Sequence, residues 1–111
     1  MRHSRPSELK TRASVFAALG DETRLSVLAT LSNGETQSIS RLTAGTKLSR
    51  QAVTKHLRVL AEAKVVRSVR VGRESLFALE PQPIEDVRDY LDQVARHWAD
   101  ALTRLKAHVE G

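Results

Sequence analysis

Apolar residues recur every three or four positions in the first third of the chain, which is the spacing of amphipathic helices. The first such segment covers residues 8–19, and the hydroxyl of Ser7 is available to cap it. A second helix follows the capping carboxylate of Asp21 and stops at Asn33-Gly34. We expect two apolar faces, made by Leu9, Ala13 and Phe16 in the first helix and by Leu25, Leu28 and Leu31 in the second.

Two shorter helices come next, and the break between them has the length of a helix-turn-helix. Ser38 can cap a short third helix that Gly45 closes, and Ser49 can cap a fourth helix over residues 50–63. Many DNA-binding domains contain two helices joined in this way by a short turn with glycine. We therefore predict a helix-turn-helix over residues 38–63.

The spacing of apolar residues changes to two in residues 65–79, which predicts a β-hairpin. Valines alternate with polar residues on the outgoing strand, and Gly72-Arg73 lies between the two strands as a tight turn. A two-stranded hairpin directly after a helix-turn-helix is a wing. Arg70 and Arg73 fall at its tip.

Helical spacing returns after the prolines at positions 81 and 83 and continues over residues 84–109, the longest predicted element. Its apolar stripe runs for about 39 Å of helix. The stripe consists of Ile84, Val87, Leu91, Val94, Trp98, Ala101 or Leu102, Leu105 and Val109. We predict one domain over residues 1–111, mainly α with a small β-hairpin wing: about five helices and a two-stranded antiparallel hairpin.

Composition excludes several classes of function. The chain of 111 residues has no cysteine, which removes disulfides, thiolate metal ligands and a cysteine nucleophile and is compatible with a cytoplasmic location. Only four residues are aromatic, so a base-stacking platform for RNA is not expected. No apolar run is long enough to span a membrane, and residues 1–10 are not expected to act as a secretory signal.

The charge of the chain is uneven. Residues 41–73 hold nine lysines and arginines and one carboxylate, whereas the rest of the chain nets −3 within a total of +5. Clustered cations favour a polyanionic partner, because they can bind phosphates and release counterions. A solvated charged face is the common alternative for such a run.

The fourth helix combines a core-facing side with a polar, basic side. At about 100° per residue, Val53, Leu57 and Leu60 share the side toward the core. No acid occurs in this helix before Glu62. The outward side offers an amide, a hydroxyl and two cations, groups that bind base edges or phosphates. These outward residues are Gln51, Thr54, Lys55 and Arg58.

Two further residues of the fourth helix are candidates for DNA contacts. Arg50 lies in the first turn and can reach past the N-terminus, the end that recognition helices point into the groove. His56 lies at the border between core and surface. A histidine satisfied at the core edge and a histidine that contacts phosphate are equal alternatives there.

Two stretches resemble the ArsR/SmtB family of winged-helix transcriptional regulators. Residues 19–31, LGDETRLSVLATL, are similar to the LGdptRl-iL--L segment of that family. Residues 48–74, LSRQAVTKHLRVLAEAKVVRSVRVGRE, are similar to its block of cap, helix, strand and wing. The closing HWADALTRLKAHVE resembles the tail of a subgroup that carries tryptophan there.

The resemblance implies a homodimeric DNA-binding repressor. The first and last helices would form the dimer interface, and the two fourth helices would enter successive major grooves about 34 Å apart. By position, the DNA contacts would be Ser49, Gln51, Thr54, Lys55 and His56, with Arg70 and Arg73 at the wing. The dimer interface would contain Leu9, Phe16, Leu91, Val94, Trp98, Leu102 and Leu105.

Many members of the family sense metals, and this chain lacks one of their sites and half of another. Where those sensors carry cysteines in the third helix, Ser38 and Ser40 stand here, and a hydroxyl does not replace a thiolate for soft metals. A second site uses four ligands on the last helices of two subunits. His97 and His108 have its spacing of eleven, but its other two ligand positions are empty of donors. We expect no bound metal and no cofactor, with a zinc site at this pair as a minor alternative.

The sequence therefore predicts a sequence-specific DNA-binding transcriptional regulator, a homodimeric repressor of an inverted repeat near its own promoter. Double-stranded DNA and a second copy of the chain are the expected partners, together with an unidentified effector and no membrane. The alternatives are a winged-helix module that binds an acidic protein, and a zinc-responsive sensor. An enzyme is not expected, because paired carboxylates, a phosphate-binding glycine loop and a nucleophile elbow are absent from the sequence.

Overall fold

The computed structural model describes residues 5–111, and residues 1–4 of the polar N-terminal segment lie outside the described residues. Over this range the chain forms a winged helix-turn-helix, which confirms the predicted fold class. The elements are α1 (Pro6–Leu19), α2 (Glu22–Leu31), β1 (Gln37–Ser38), α3 (Ile39–Ala44), α4 (Arg50–Glu62), β2 (Val66–Val71), β3 (Glu74–Leu79) and α5 (Pro81–Glu110).

The helix starts follow the capping chemistry of the sequence, with two corrections. Asp21, Ser38 and Ser49 are N-caps, and the side chain of each accepts a hydrogen bond from the amide three residues on. α1 begins at Pro6 and α5 at Pro81, two and three residues before the predicted starts. The predicted cap Ser7 therefore lies inside α1, and the N-cap is Arg5, whose side chain makes no capping hydrogen bond. Proline is tolerated in the first turn because the amide it lacks has no partner inside a helix.

A third strand joins the predicted hairpin. β2 and β3 pair antiparallel, and the two-residue β1 pairs with the free edge of β3, which gives the order β1–β3–β2. β1 was not predicted because two residues are too few to show an alternating pattern. Gly72 at the hairpin turn has a φ of 63°, a conformation that glycine adopts without strain.

The aliphatic core lies where α4 packs against α1, α2 and the sheet. Its most buried large side chains are Leu31, Leu57, Leu60, Val15, Val53 and Val65, and the predicted inner side of α4 is among them. α2 departs from the predicted stripe. Val27 is buried beside Leu28 and Leu31, whereas the side chain of Leu25 is 52% exposed.

The predicted apolar face of α1 lies at the surface of the single chain. The side chains of Val15 and Ala18 are buried instead, and Leu9 is exposed. Phe16 is half-buried, and its ring centroid lies 6.4 Å from that of Tyr90 on α5. α1 therefore presents one apolar side to the core and a second to solvent.

α5 extends far beyond the rest of the chain. It has 30 residues, about 45 Å of helix, and Val87 is its one buried residue. The molecule measures 67 × 28 × 22 Å as a result. One side of α5, named here the α5 apolar face, exposes Leu91, Val94, Trp98, Leu102, Leu105 and Val109. No helix within residues 5–111 is both long and apolar enough to cross a membrane.

Candidate nucleic-acid interface

Five of the predicted DNA contacts come together on the outer side of α4. They line one shallow groove of about 390 Å³ that is open to solvent. This α4 groove consists of Arg50, Gln51, Thr54, Lys55 and Arg58. All of these side chains are exposed except that of Thr54, which is half-buried. The opposite side of α4 is buried in the core, and this packing fixes the groove residues on the solvent side of the helix.

Hydrogen bonds inside the chain divide these residues into two groups. Arg50 Nη1 donates to the hydroxyl of Ser40 on α3 at 3.1 Å, and the Thr54 hydroxyl donates to the Arg50 carbonyl at 2.8 Å. Within residues 5–111, the side chains of Gln51, Lys55 and Arg58 make no hydrogen bond or ion pair. All of their side-chain donors are available for an external ligand.

Ser49 is placed to position the recognition helix. Its hydroxyl accepts a hydrogen bond from the Ala52 amide at 3.1 Å and so caps α4. The remaining amides of the first turn have no partner inside the helix, and such an end favours an anion. A phosphate contact by Ser49 itself stays a prediction.

His56 faces α2 rather than open solvent. Its Nδ1 lies 3.2 Å from Nη1 of Arg24 and 3.8 Å from Oδ2 of Asp21, and 23% of its side chain is exposed. A guanidinium only donates hydrogen bonds, so Nδ1 is the acceptor in the contact with Arg24. This geometry favours the core-edge alternative for His56. Its contact with DNA stays a prediction.

Arg24 is the residue that sequence analysis missed. Its Nε donates to the Ala18 carbonyl at 2.6 Å, and its Nη2 donates to the Ala17 carbonyl at 3.3 Å. The last turn of α1 holds no basic residue, so Arg24 supplies both the donors and the positive charge that this helix end favours. The available signal was its place three residues after the cap Asp21 in the LGDETRL segment.

The carboxylate of Asp21 is held in its charged form. The backbone amide of Arg24 donates to Oδ2 at 3.0 Å, and this hydrogen bond lowers the pKa of Asp21 below its ordinary value of 3.8. Loss of solvent around the carboxylate opposes this effect and raises the pKa, and the nearby charge of Arg24 lowers it further.

The wing presents two unpaired cations. Arg70 lies on β2, and Arg73 lies at the turn. Both side chains are exposed and make no hydrogen bond or ion pair within the described chain. Arg67, nearer the base of β2, differs because its Nε lies 2.9 Å from Oε1 of Glu80. The wing thus carries its free positive charge at the tip, where the sequence predicts it.

The histidines of α5 are too far apart to share a metal ion within one chain. His97 and His108 lie on the same side of the helix but about 16 Å apart along its axis. Residues 5–111 contain no group of three or more histidine, cysteine or acidic side chains placed to hold a metal. A zinc site between two subunits stays the minor alternative.

Both serines at the cysteine positions of metal sensors serve the fold. Ser38 accepts from the Arg41 amide at 3.1 Å and caps α3, and Ser40 accepts from Arg50. These hydroxyls therefore position α3 and the start of α4.

Known proteins share both the sequence pattern and the fold. Residues 19–69 match a helix-turn-helix domain family. The HTH-type transcriptional regulator Rv2034 of Mycobacterium tuberculosis is 34% identical over 88 residues, which cover 79% of this chain and 78% of that protein. A transcriptional repressor SmtB homolog of Synechocystis is 32% identical over 85 residues, 73% of this chain and 64% of that protein.

Two solved structures have the same fold. An ArsR-like transcriptional regulator from Rhodococcus sp. RHA1 matches with a TM-score of 0.87 at 35% identity, covering 96% of this chain and 97% of that one. The homodimeric winged helix-turn-helix DNA-binding domain of Mb0332 from Mycobacterium bovis matches with a TM-score of 0.67. Its identity is 19%, and the match covers 86% of this chain and 91% of that one.

A capped recognition helix with a basic groove, followed by a wing, defines a DNA-binding domain of transcriptional regulators. The chain belongs to the ArsR/SmtB family of winged helix-turn-helix transcriptional regulators.

Proposed function

We propose that this protein is a homodimeric repressor that binds an inverted repeat in double-stranded DNA near its own promoter. The α4 groove carries the proposal. Gln51, Lys55 and Arg58 have no partner within residues 5–111, and they lie on a helix whose other side is anchored in the core. An amide and two cations in this position suit base edges and phosphates.

The α5 apolar face supports a dimer. Six large apolar side chains on one side of a helix are exposed in the single chain, and Trp98 is 65% exposed. A two-fold pairing would cover the same face on both subunits. Leu9 and Phe16 on α1 would extend the interface. The Mb0332 domain, which has the same fold, is described as a homodimer.

Dimerisation would provide the two DNA-binding surfaces that an inverted repeat requires. A two-fold dimer would present two α4 grooves, and two recognition helices in successive major grooves require half-sites about 34 Å apart. Arg70 and Arg73 would then contact the DNA flanking each half-site. A related protein described as a transcriptional repressor supports the proposed direction of regulation.

Fluorescence anisotropy tests this function directly. The protein is titrated onto a labelled duplex from its own upstream DNA and onto a scrambled duplex of equal composition. We expect preferential binding to the upstream duplex, with affinity falling by roughly 10³ to 10⁵ between 50 and 200 mM salt if about 6–10 phosphates are contacted. Equal affinity for both duplexes at every salt concentration contradicts sequence-specific regulation.

Binding of an acidic protein through the same basic surface is the second candidate. Protein interfaces favour large apolar or aromatic anchors, and the α4 groove contains none. The double variant Arg50→Ala, Lys55→Ala discriminates between the two functions. Loss of DNA affinity supports the regulator, and retained DNA affinity supports the protein-binding module.

A further inference from the structure

One side chain connects the helices α1, α2 and α4. Arg24, on α2, donates to two carbonyls at the end of α1 at 2.6 and 3.3 Å. The same guanidinium lies 3.2 Å from Nδ1 of His56 on α4. Its own backbone amide binds the Asp21 cap. All three guanidinium nitrogens are therefore engaged, each with a different acceptor.

We propose that Arg24 is a positioning residue for DNA binding, which connects the dimerisation helix α1 to the recognition helix α4 through His56. The inference rests on the proposed function, because it assigns α1 to the dimer interface and α4 to the DNA. Arg24 itself lies in neither the proposed dimer interface nor the proposed DNA-binding surface. Through this contact, the orientation of α4 depends on the position of the end of α1.

The contact requires an acceptor at position 56 of α4, because a guanidinium only donates hydrogen bonds. The charged groups that face His56 are Arg24 on α2 and Asp21, the N-cap of α2. α1 contributes backbone carbonyls to Arg24. A side chain without an acceptor at position 56 would leave Arg24 bound to α1, and the connection to α4 would be lost.

Rescue by an acceptor at position 56 tests this role. The measurement compares the DNA affinity of the wild type with that of His56→Gln, whose amide oxygen can accept from Arg24, and of His56→Ala, which has no acceptor. We expect His56→Ala to lose about tenfold in affinity and His56→Gln to lose less. Equal losses in the two variants overturn the proposal.

A double-mutant cycle tests the connection itself. Arg24→Lys keeps a positive charge near the end of α1, but an ammonium on a flexible stem does not reproduce the fork of donors. We expect it to weaken operator binding at pH 7.5 by about tenfold. In the His56→Ala, Arg24→Lys double variant the losses should be non-additive, since each change alone removes the same contact. Additive losses overturn the proposal.

The folding and the oligomeric state of each variant are measured separately from its DNA affinity. Circular dichroism establishes that each variant is folded at the assay temperature, and sedimentation establishes that it has the same oligomeric state as wild type. Wild-type protein that binds no upstream duplex contradicts the proposed function and the inference with it. Wild-type binding combined with additive variants contradicts only the positioning role.

Discussion

Arg24 and His56 are 32 residues apart in sequence, and Nη1 of the one lies 3.2 Å from Nδ1 of the other. The contact joins the start of α2 to the middle of α4. Arg24 also caps the last turn of α1 at the Ala17 and Ala18 carbonyls. The helix that carries the candidate DNA contacts is thereby attached to the helix that carries part of the candidate dimer interface.

Lys55→Ala should weaken binding to all DNA sequences in the same proportion and reduce the dependence of affinity on salt. A single lost phosphate contact lowers the slope of log affinity against log salt by about 1. The matched control is Lys106→Ala on α5, whose Nζ lies 4.0 Å from Oε1 of Glu110, outside the α4 groove. Anisotropy titrations at several salt concentrations measure both slopes. An unchanged slope for Lys55→Ala means that this side chain contacts no phosphate.

Gln51→Ala should act on specificity rather than on general affinity. A side-chain amide binds adenine through two hydrogen bonds, and losing such a pair costs about 1–3 kcal/mol at one base pair. The expected result is a loss of discrimination at one position of each half-site, with an unchanged salt slope. A panel of operators with single substitutions measures this effect. Equal losses across the whole panel would contradict a base-reading role for Gln51.

Trp98→Glu should convert the protein to a monomer. It places a charge in the middle of the α5 apolar face, where an interface hot spot is worth at least about 2 kcal/mol. Analytical ultracentrifugation measures the dimer dissociation constant, which should rise by more than about 30-fold. Arg96→Ala, an exposed change on the opposite side of α5, is the control. A Trp98→Glu dimer of unchanged affinity would place the interface elsewhere.

Ser49→Ala should destabilise the domain by about 1 kcal/mol, because it removes the hydroxyl that caps α4. The hydroxyl oxygen lies 3.1 Å from the Ala52 amide. Urea unfolding at one fixed protein concentration measures the change, since the stability of a dimer depends on concentration. Ser26→Ala, at an exposed position inside α2, is the control and should change stability little. Equal effects of the two substitutions would argue against the cap.

Asp21→Asn should reveal a stability difference that depends on pH. Asparagine also caps helices well, so the comparison isolates the charge. The pKa of Asp21 is lowered in the folded state, first by the hydrogen bond from the Arg24 amide. Its contribution is therefore fully present above the unfolded pKa of 3.8 and is lost as the pH falls through the folded pKa.

Thermal unfolding between pH 7 and pH 2 tests this sign. The wild type should exceed Asp21→Asn in stability at pH 5–7 by a constant amount, and the difference should shrink below about pH 4. Asp100→Asn, an exposed carboxylate of α5 with no hydrogen bond in the described chain, is the control. A difference that grows toward acid would contradict the assignment.

Zinc should leave DNA binding unchanged. His97 and His108 provide two ligands where zinc takes four, or three and a water. Anisotropy with the upstream duplex is measured in chelator and then in excess zinc. Dissociation by zinc that His97→Ala abolishes would show a sensor site between subunits and contradict this prediction.

The elements that could be predicted are those defined by contacts between near neighbours in sequence. The caps at Asp21, Ser38 and Ser49 each bind an amide three residues away, so their signal lies within one helical turn. The hairpin and its glycine turn are local in the same sense. The groove residues of α4 follow from helical periodicity once the core side is known.

The features that could not be predicted depend on distant partners. β1 exists because the edge of β3 pairs with it, Leu25 is exposed because Val27 takes its place in the core, and His56 turns toward Arg24. The spacing of apolar and polar residues along α2 or α4 does not predict which side chains of the two helices contact each other. Such contacts form only when the helices pack.

The sequence by itself determined the order of the elements, the capped recognition helix, the basic wing tip and the family, because each is written in spacings of two to four residues. The tertiary structure alone decided which cations stay free and which are used internally. Arg24, Arg50 and Arg67 are bound within the chain, whereas Lys55 and Arg58 are not. The physical reason is that a cationic side chain donates hydrogen bonds only to acceptors within about 3 Å. Which acceptors lie that close depends on how the helices and strands pack, because packing brings together residues that are far apart in sequence.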